Sequence, residues 1–345
     1  MENFNRNLMS PVAELAWRES ALVEPTRAEP MHAEPTRVEP KTATEDAPLV
    51  SVVIPSYNSA RTIRKCLSGL SAQRTTLPFE VIIADSSDDG TEQIVSAEFP
   101  EVKLLHFDGR RSTGIARNFG IDAARGDIIL FLDTDCVPNP KWIDQMVAGI
   151  FNGADGVGGS VENGTPWSIS GTVGFYLEFF RFLGHPGKPI PTPFLMGGTT
   201  GFRRRVLELM RYTDNSVGDD FIFGWGQVNL GRKLFFLPSV TVKHINKAGV
   251  RIMFRYQYKL GRGAYAYRCQ MNPGIVRFLD AAPVLVFGIP LAVVPWIGWT
   301  VLRRRGVLEA LKFTALLPVL FAGNSAWAWG FYRELMSRKS KANSG

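Results

Sequence analysis

At 345 residues, with 45% apolar and 21% charged side chains, the chain has the composition of a globular protein with room for one large domain plus extensions. Its formal charge of +7 is unevenly spread: residues 1–48 carry 5 basic and 9 acidic groups, residues 49–244 carry 19 and 20, and residues 245–345 carry 15 and 3. A basic excess confined to the most apolar end favours an anionic membrane surface over nucleic acid, and three scattered cysteines (Cys66, Cys136, Cys269) exclude a disulfide framework.

Residues 1–48 hold a Glu-Pro pair every five residues, at Glu24-Pro25, Glu29-Pro30, Glu34-Pro35 and Glu39-Pro40. Each proline removes a backbone donor and biases its predecessor toward extended geometry, so this tail is expected to be disordered and partly polyproline-like. It has no apolar run of signal-peptide type, which predicts a cytosolic catalytic part.

From Leu49 the pattern becomes βα alternation. Val50–Ile54 is a β-branched run, and Ile63, Leu67 and Leu70 recur at helical spacing behind Asn58-Ser59. Phe79–Ala84 reads as a second strand, Thr91–Phe99 as a helix and Val102–Phe107 as a third strand. Gly114–Ala124 reads as a helix and Ile128–Leu132 as a fourth strand. This alternation predicts a Rossmann-like α/β fold with a doubly wound, mainly parallel sheet, in which ligands bind beyond the carboxyl ends of the strands. Asp85 and Asp133 fall at that edge.

Past His244 the character changes. Arg251, Arg255, Lys259 and Arg262 share one helical face, and Met253, Tyr256, Leu260, Ala264 and Tyr267 another, which predicts a basic amphipathic helix within 245–277 suited to a membrane interface. Gly261 and Gly263 weaken that helix, and packing on the catalytic domain is the alternative. Within 278–345, Ala281–Leu302 and Phe313–Tyr332 are 22 and 20 residues without a charge, long enough to span. A hairpin of the two would leave the larger positive count, and with it residues 49–244, on the cytoplasmic side. Their prolines and polar groups leave interfacial or re-entrant helices open.

Two turns carry chemistry. Ile128–Leu132 delivers Asp133-Thr134-Asp135 to the sheet rim, and paired hard oxygen ligands of this kind suit Mg²⁺ or Mn²⁺ beside phosphate oxygens. Asp85-Ser86-Ser87-Asp88-Asp89-Gly90-Thr91 follows the second strand, with Asp85 placed to accept hydrogen bonds from a base or ribose.

Together with Val-Val-Ile-Pro-Ser-Tyr-Asn at 52–58 and Gly-Ile-Ala-Arg-Asn at 114–118, these turns give residues 49–244 a pattern that resembles the family 2 glycosyltransferases of GT-A fold. The resemblance implies inverting, metal-dependent transfer from a nucleotide-sugar donor, usually a uridine diphosphate sugar, to a lipid-linked or glycan acceptor. It implies that Pro55, Tyr57 and Asp85 contact the base, that Arg117 lies near donor groups, and that Asp133 and Asp135 hold ribose and metal. Gly197–Arg204 resembles the family's acceptor-side loop, with Gly198 and Thr199 on it. Asp219-Asp220 stands for the usual Glu-Asp pair, so Asp220 is the implied general base and Asp219 its acceptor-side neighbour. His244 stands where many relatives complete the metal shell, and a structural histidine is the alternative.

Some positions depart from the family pattern. Ile222 replaces a frequent acid and Gly226 a frequent arginine, and Gln227 is followed by Val228-Asn229-Leu230-Gly231 rather than the Gln-x-x-Arg-Trp of processive members. Transfer of one sugar is therefore expected. The aromatic segment Trp167–Phe182 is either a path for the acceptor or a core helix. Two other classes compete. A haloacid-dehalogenase-type phosphatase could use Asp133 and Asp135, but expects its nucleophile nearer the start of the domain. A decayed membrane scaffold would not need the intact carboxylates Asp85, Asp133, Asp135 and Asp220.

Overall fold

The computed structural model describes residues 49–214 and 217–342, so the Glu-Pro repeat lies outside the described residues. The chain runs β1 (Val50–Ser56), α1 (Ile63–Ser71), β2 (Phe79–Asp85), α2 (Thr91–Glu98), β3 (Lys103–His106), α3 (Thr113–Ala123) and β4 (Ile128–Leu132). It continues with β5 (Cys136–Pro138), α4 (Trp142–Phe151), β6 (Gly156–Asn163), α5 (Ile169–Phe179), β7 (Ile190–Pro191), β8 (Thr199–Arg203), α6 (Arg204–Leu209), α7 (Asp219–Asn229) and β9 (Leu234–His244). Among the described residues five α-helices follow: α8 (Val250–Met271), α9 (Pro273–Ala281), α10 (Ile289–Arg305), α11 (Val307–Ala315) and α12 (Leu317–Ala342).

The strands form one sheet in the order β3-β2-β1-β4-β8-β6-β9-β5, with β7 on β9. The first half is the expected parallel unit: β1 pairs in parallel with both β2 and β4, and β2 with β3. Val50, Val52, Val53, Ile54 and the whole of β4 are buried, as strands covered on both faces require. The second half is mixed, because β8 enters antiparallel between β4 and β6 while β6 and β9 run parallel. After β1 the chain steps outward to β2 and β3, then returns to the other side of β1 as β4. The crevice beyond the carboxyl ends of β1 and β4 is thus a topological switch point.

Helix α8 runs unbroken through Gly261 and Gly263. A Cβ on Gly261 would stand 1.9 Å from the Trp327 carbonyl oxygen of α12, and one on Gly330 would stand 2.1 Å from the Tyr258 oxygen, so the two helices cross backbone to backbone. The expected apolar stripe of α8 is turned inward: Met253 and Ala264 are buried and Tyr256, Leu260 and Tyr267 half-buried, while the basic residues Arg251, Arg255, Lys259 and Arg262 are exposed, with Val250 and Ile252 exposed beside them at the start of the helix. Among the described residues, Pro283–Arg305 is the one helical stretch that by itself is long and apolar enough to cross a bilayer, with 28% of its most apolar window buried. The second apolar segment does not form a straight span; α11 and α12 meet at a 70° bend.

Candidate active site

The loop after β1 and the turn after β2 are stitched into one wall. Asn58 adopts a left-handed φ of 53°, which asparagine tolerates better than most residues. Its N–H donates to Ser87 Oγ (2.8 Å), and its Oδ1 accepts from the Asp88 N–H (3.1 Å). The Ser59 N–H donates to Thr91 Oγ1 and the Ala60 N–H to Asp89 Oδ2. Asp85 is fully buried beneath this wall, where it accepts from the Ser87 N–H and hydroxyl and bonds His106 Nδ1 at 2.9 Å. Pro55 is buried within β1. The Tyr57 ring is 42% exposed, with the Arg110 guanidinium 4.9 Å from its centroid.

At the end of β4, Asp133 and Asp135 turn to different partners. Asp133 Oδ1 meets Arg117 NH2 at 3.2 Å, while Arg117 NH1 meets Asp219 Oδ2 at 3.2 Å, so one buried guanidinium ties the β4 rim to the start of α7. Burial pushes the Asp133 carboxyl above its ordinary range, Arg117 opposing. The loop Gly197-Gly198 closes over this knot. A Cβ on Gly197 would lie 2.5 Å from Arg117 NH2, and one on Gly198 2.7 Å from Asp133 Oδ2, which is why side chains are missing at both positions.

Asp135 instead faces His244, and strand register explains it: β5 pairs with β9 so that Cys136 lies opposite His244. Asp135 Oδ2 and His244 Nε2 are 3.4 Å apart. Asn246 Nδ2 donates to Asn163 Oδ1 and Thr165 Oγ1, which leaves its Oδ1 to accept from His244 Nδ1–H at 2.8 Å. The second ring nitrogen is thereby aimed at Asp135, and the Phe179 ring packs 4.6 Å from the imidazole. Burial opposes charge on His244, but Asp135 outweighs it and pushes the imidazole up to about 9. Burial likewise pushes Asp135 up, yet His244 and Lys247 leave it below the usual carboxylate range. Each group thus favours the charged form of the other.

Among the described residues no group of three or more His, Cys, Asp or Glu side chains is placed to hold a metal. The donor set that fits is the Asp135–His244 pair, one hard oxygen and one oriented imidazole, with Asp133 drawn toward Arg117. Two protein ligands leave room for the waters and phosphate oxygens that Mg²⁺ or Mn²⁺ prefers.

Asp220 is the second residue of α7, which follows Gly218, whose φ is 80°. Its Oδ2 accepts from the Gly197 N–H (3.0 Å) and its Oδ1 from the Phe221 N–H (2.9 Å). Burial, then the adjacent Asp219 charge, raises it to about 6 against the pull of Arg117 and both N–H groups. Thr199 requires a correction. Its hydroxyl is fully buried and accepts from Trp142 Nε1 at 2.9 Å, because β8 alternation turns it into the core rather than toward an acceptor. Asp219 is likewise committed to Arg117 rather than open.

Residues 51–210 match the profile of the family described as glycosyl transferase family 2. They are a family 2 glycosyltransferase domain. This domain is similar to the glycosyltransferase AglE of Haloferax volcanii (40% identity over 127 residues, 34% of this chain and 41% of that protein). It is also similar to the succinoglycan biosynthesis protein ExoO of Rhizobium meliloti (38% over 106 residues, 30% of each chain). The chain thus spans less than half the length of these curated relatives. In fold, the chain resembles the mannosyltransferase PcManGT from Pyrobaculum calidifontis, solved with GDP-Man and Mn²⁺ (TM-score 0.53, 20% identity, 95% of this chain and 93% of that one). The family match over residues 51–210 sets aside the phosphatase reading.

Three residues beside the transferase carboxylates escape sequence reasoning. Glu178 of α5, Lys247 and Tyr256 of α8 line a small cleft with Asp135 and His244. Burial pushes Glu178 up to about 7, and Gln257 Nε2 donates to it at 3.3 Å. The Lys247 ammonium lies 4.5 Å from the Tyr256 ring centroid. Elsewhere in the aromatic segment Phe175, Tyr176, Phe179, Phe180 and Phe182 are buried in the core, while Trp167, ahead of the helix, is exposed.

Proposed function

We propose that the protein transfers a single sugar, with inversion, from a nucleoside-diphosphate sugar to a lipid-linked or glycan acceptor at the cytoplasmic face of a membrane. The observation that carries this is the Asp135–His244 pair, oriented by Asn246 at the switch point of a family 2 domain. Asp135 and His244 would hold Mg²⁺ or Mn²⁺, which supplies charge neutralisation for the departing diphosphate. PcManGT was solved with a ligand pair of this kind, a nucleotide sugar and Mn²⁺.

The chain's own residues supply the rest. Tyr57 offers an exposed ring to the base along the wall that Pro55 and Asp85 support, a uridine base in this reading. Asp133, held by Arg117, accepts from the ribose. Asp220 takes the proton of the acceptor hydroxyl as that oxygen bonds the anomeric carbon and the bond to diphosphate breaks on the opposite face. A carboxyl near 6 is ionised at neutral pH yet basic enough for this work. Gly198 lets the loop carrying Gly197, whose N–H orients Asp220, close over Asp133.

A screen of nucleotide sugars with Mg²⁺, Mn²⁺ or chelator, read as nucleotide release, tests this. Release specific to one donor and abolished by chelator is expected. Failure of every donor in every metal would leave the scaffold reading standing.

A further inference from the structure

The stretch from Pro283 to Arg305 is apolar on all sides, yet only one side is covered. Pro290, Val294, Ile297 and Val301 recur at helical spacing and are buried. Opposite them, Val284, Phe287, Leu291, Trp299 and Leu302 are exposed, and Val307, Leu308 and Leu311 of α11 extend the open face. A helix apolar all round needs apolar surroundings on every side, and water is not one.

Its length would allow a crossing; its attachments do not. At the start, the Phe287 ring packs 5.2 Å from Tyr332 of α12. Midway, Trp296 meets Phe180 edge-on at 4.9 Å, with the Arg181 guanidinium 4.9 Å from its ring. At the end, Arg304 donates to the Arg181 carbonyl (2.6 Å) and Arg305 lies 3.7 Å from Glu162 of β6. The stretch is therefore held by α12 at its start and by Phe180, Arg181 and Glu162 of the catalytic body from Trp296 to Arg305. Nor does α12 leave it, since its Trp327 carbonyl oxygen and Gly330 touch the α8 backbone.

We infer that the C-terminal region enters one leaflet of an anionic bilayer by the open face of Pro283–Ala315 and does not cross it. The occupant is a lipid surface because no Asp or Glu interrupts residues 281–308, while Arg303, Arg304, Arg305 and Lys312 cluster where the stripe ends, and Arg303 sits 6.0 Å from the exposed Trp299 ring. This rests on the membrane-face reading above and deepens it.

The test uses the full chain. Wild type is expected to float with phosphatidylcholine vesicles containing phosphatidylglycerol and less with phosphatidylcholine alone. Leu291→Glu/Leu308→Glu should cut the bound fraction at least about tenfold. Nucleotide release in solution should be unchanged in that variant, which separates loss of docking from failure of the transferase reading. Independently, Arg277→Cys and Lys312→Cys, exposed charged positions on either side of Pro283–Arg305 and not among the inserted side chains, introduced singly, should react with an impermeant maleimide from the same membrane side as the exposed Cys269. Labelling of the two from opposite sides, equal flotation of the variant, or no flotation of wild type overturns the inference.

Discussion

Asp220 holds a carboxyl raised to about 6 at the start of a helix, so its protonation falls inside the working pH range. Below that value the group carries the proton it must accept; above it, the base is free. Transfer measured as kcat/KM should therefore climb through about pH 6 and level off. Asp220→Asn should lose about 10²–10⁴-fold in kcat, keep nucleotide affinity, and flatten the rise; an unchanged profile places the base elsewhere. Asn246 acts through His244, whose tautomer it sets. Asn246→Ala should weaken Mn²⁺ binding about 10–100-fold, read by titration of metal-dependent nucleotide release, with the fold intact by circular dichroism. Asp85, Asp133 and Asp135 stand out in sequence because they follow short apolar runs at strand ends, whereas Asp219-Asp220 is singled out only by the family resemblance. Asn246, Glu178 and Lys247 were not, because they reach Asp135 only through the β5–β9 register and the packing of α5 on α8.

At the level of elements, β1 to β4 were readable from alternating β-branched runs and helical stripes. Strand β6 was not. Its sequence Gly-Val-Gly-Gly-Ser-Val-Glu-Asn looks like a loop, yet its glycines answer to packing: a Cβ on Gly156 would sit 2.4 Å from the Phe202 ring, and one on Gly158 2.8 Å from Leu195. The antiparallel entry of β8 likewise leaves no local mark, since pairing order is a property of the whole sheet. Gly261 is the same lesson in a helix. It reads as a weak point and serves as a contact, so Gly261→Ala should destabilise the protein by about 1–3 kcal/mol in thermal melts, although alanine is the better helix former. A variant melting at or above wild type would mean that α8 and α12 separate readily.

Across the whole molecule, the excess of 15 basic over 3 acidic side chains after residue 244 belongs to helices packed on the catalytic body, not to a detached anchor. Composition does not distinguish the covered face of α10 from the open one, because both are equally apolar in sequence. Helix α8 reaches the Asp135–His244 cleft at Tyr256 and grips α12 one turn later at Gly261. Were the open stripe of Pro283–Ala315 sunk into a leaflet as inferred above, that single rod would fix the altitude of Asp135, His244 and their neighbours over the lipid headgroups. The protein would then work as a gauge: an acceptor hydroxyl would be glycosylated only if its own tether lifted it to that altitude, so reach above the bilayer would join chemical identity as a criterion of substrate choice.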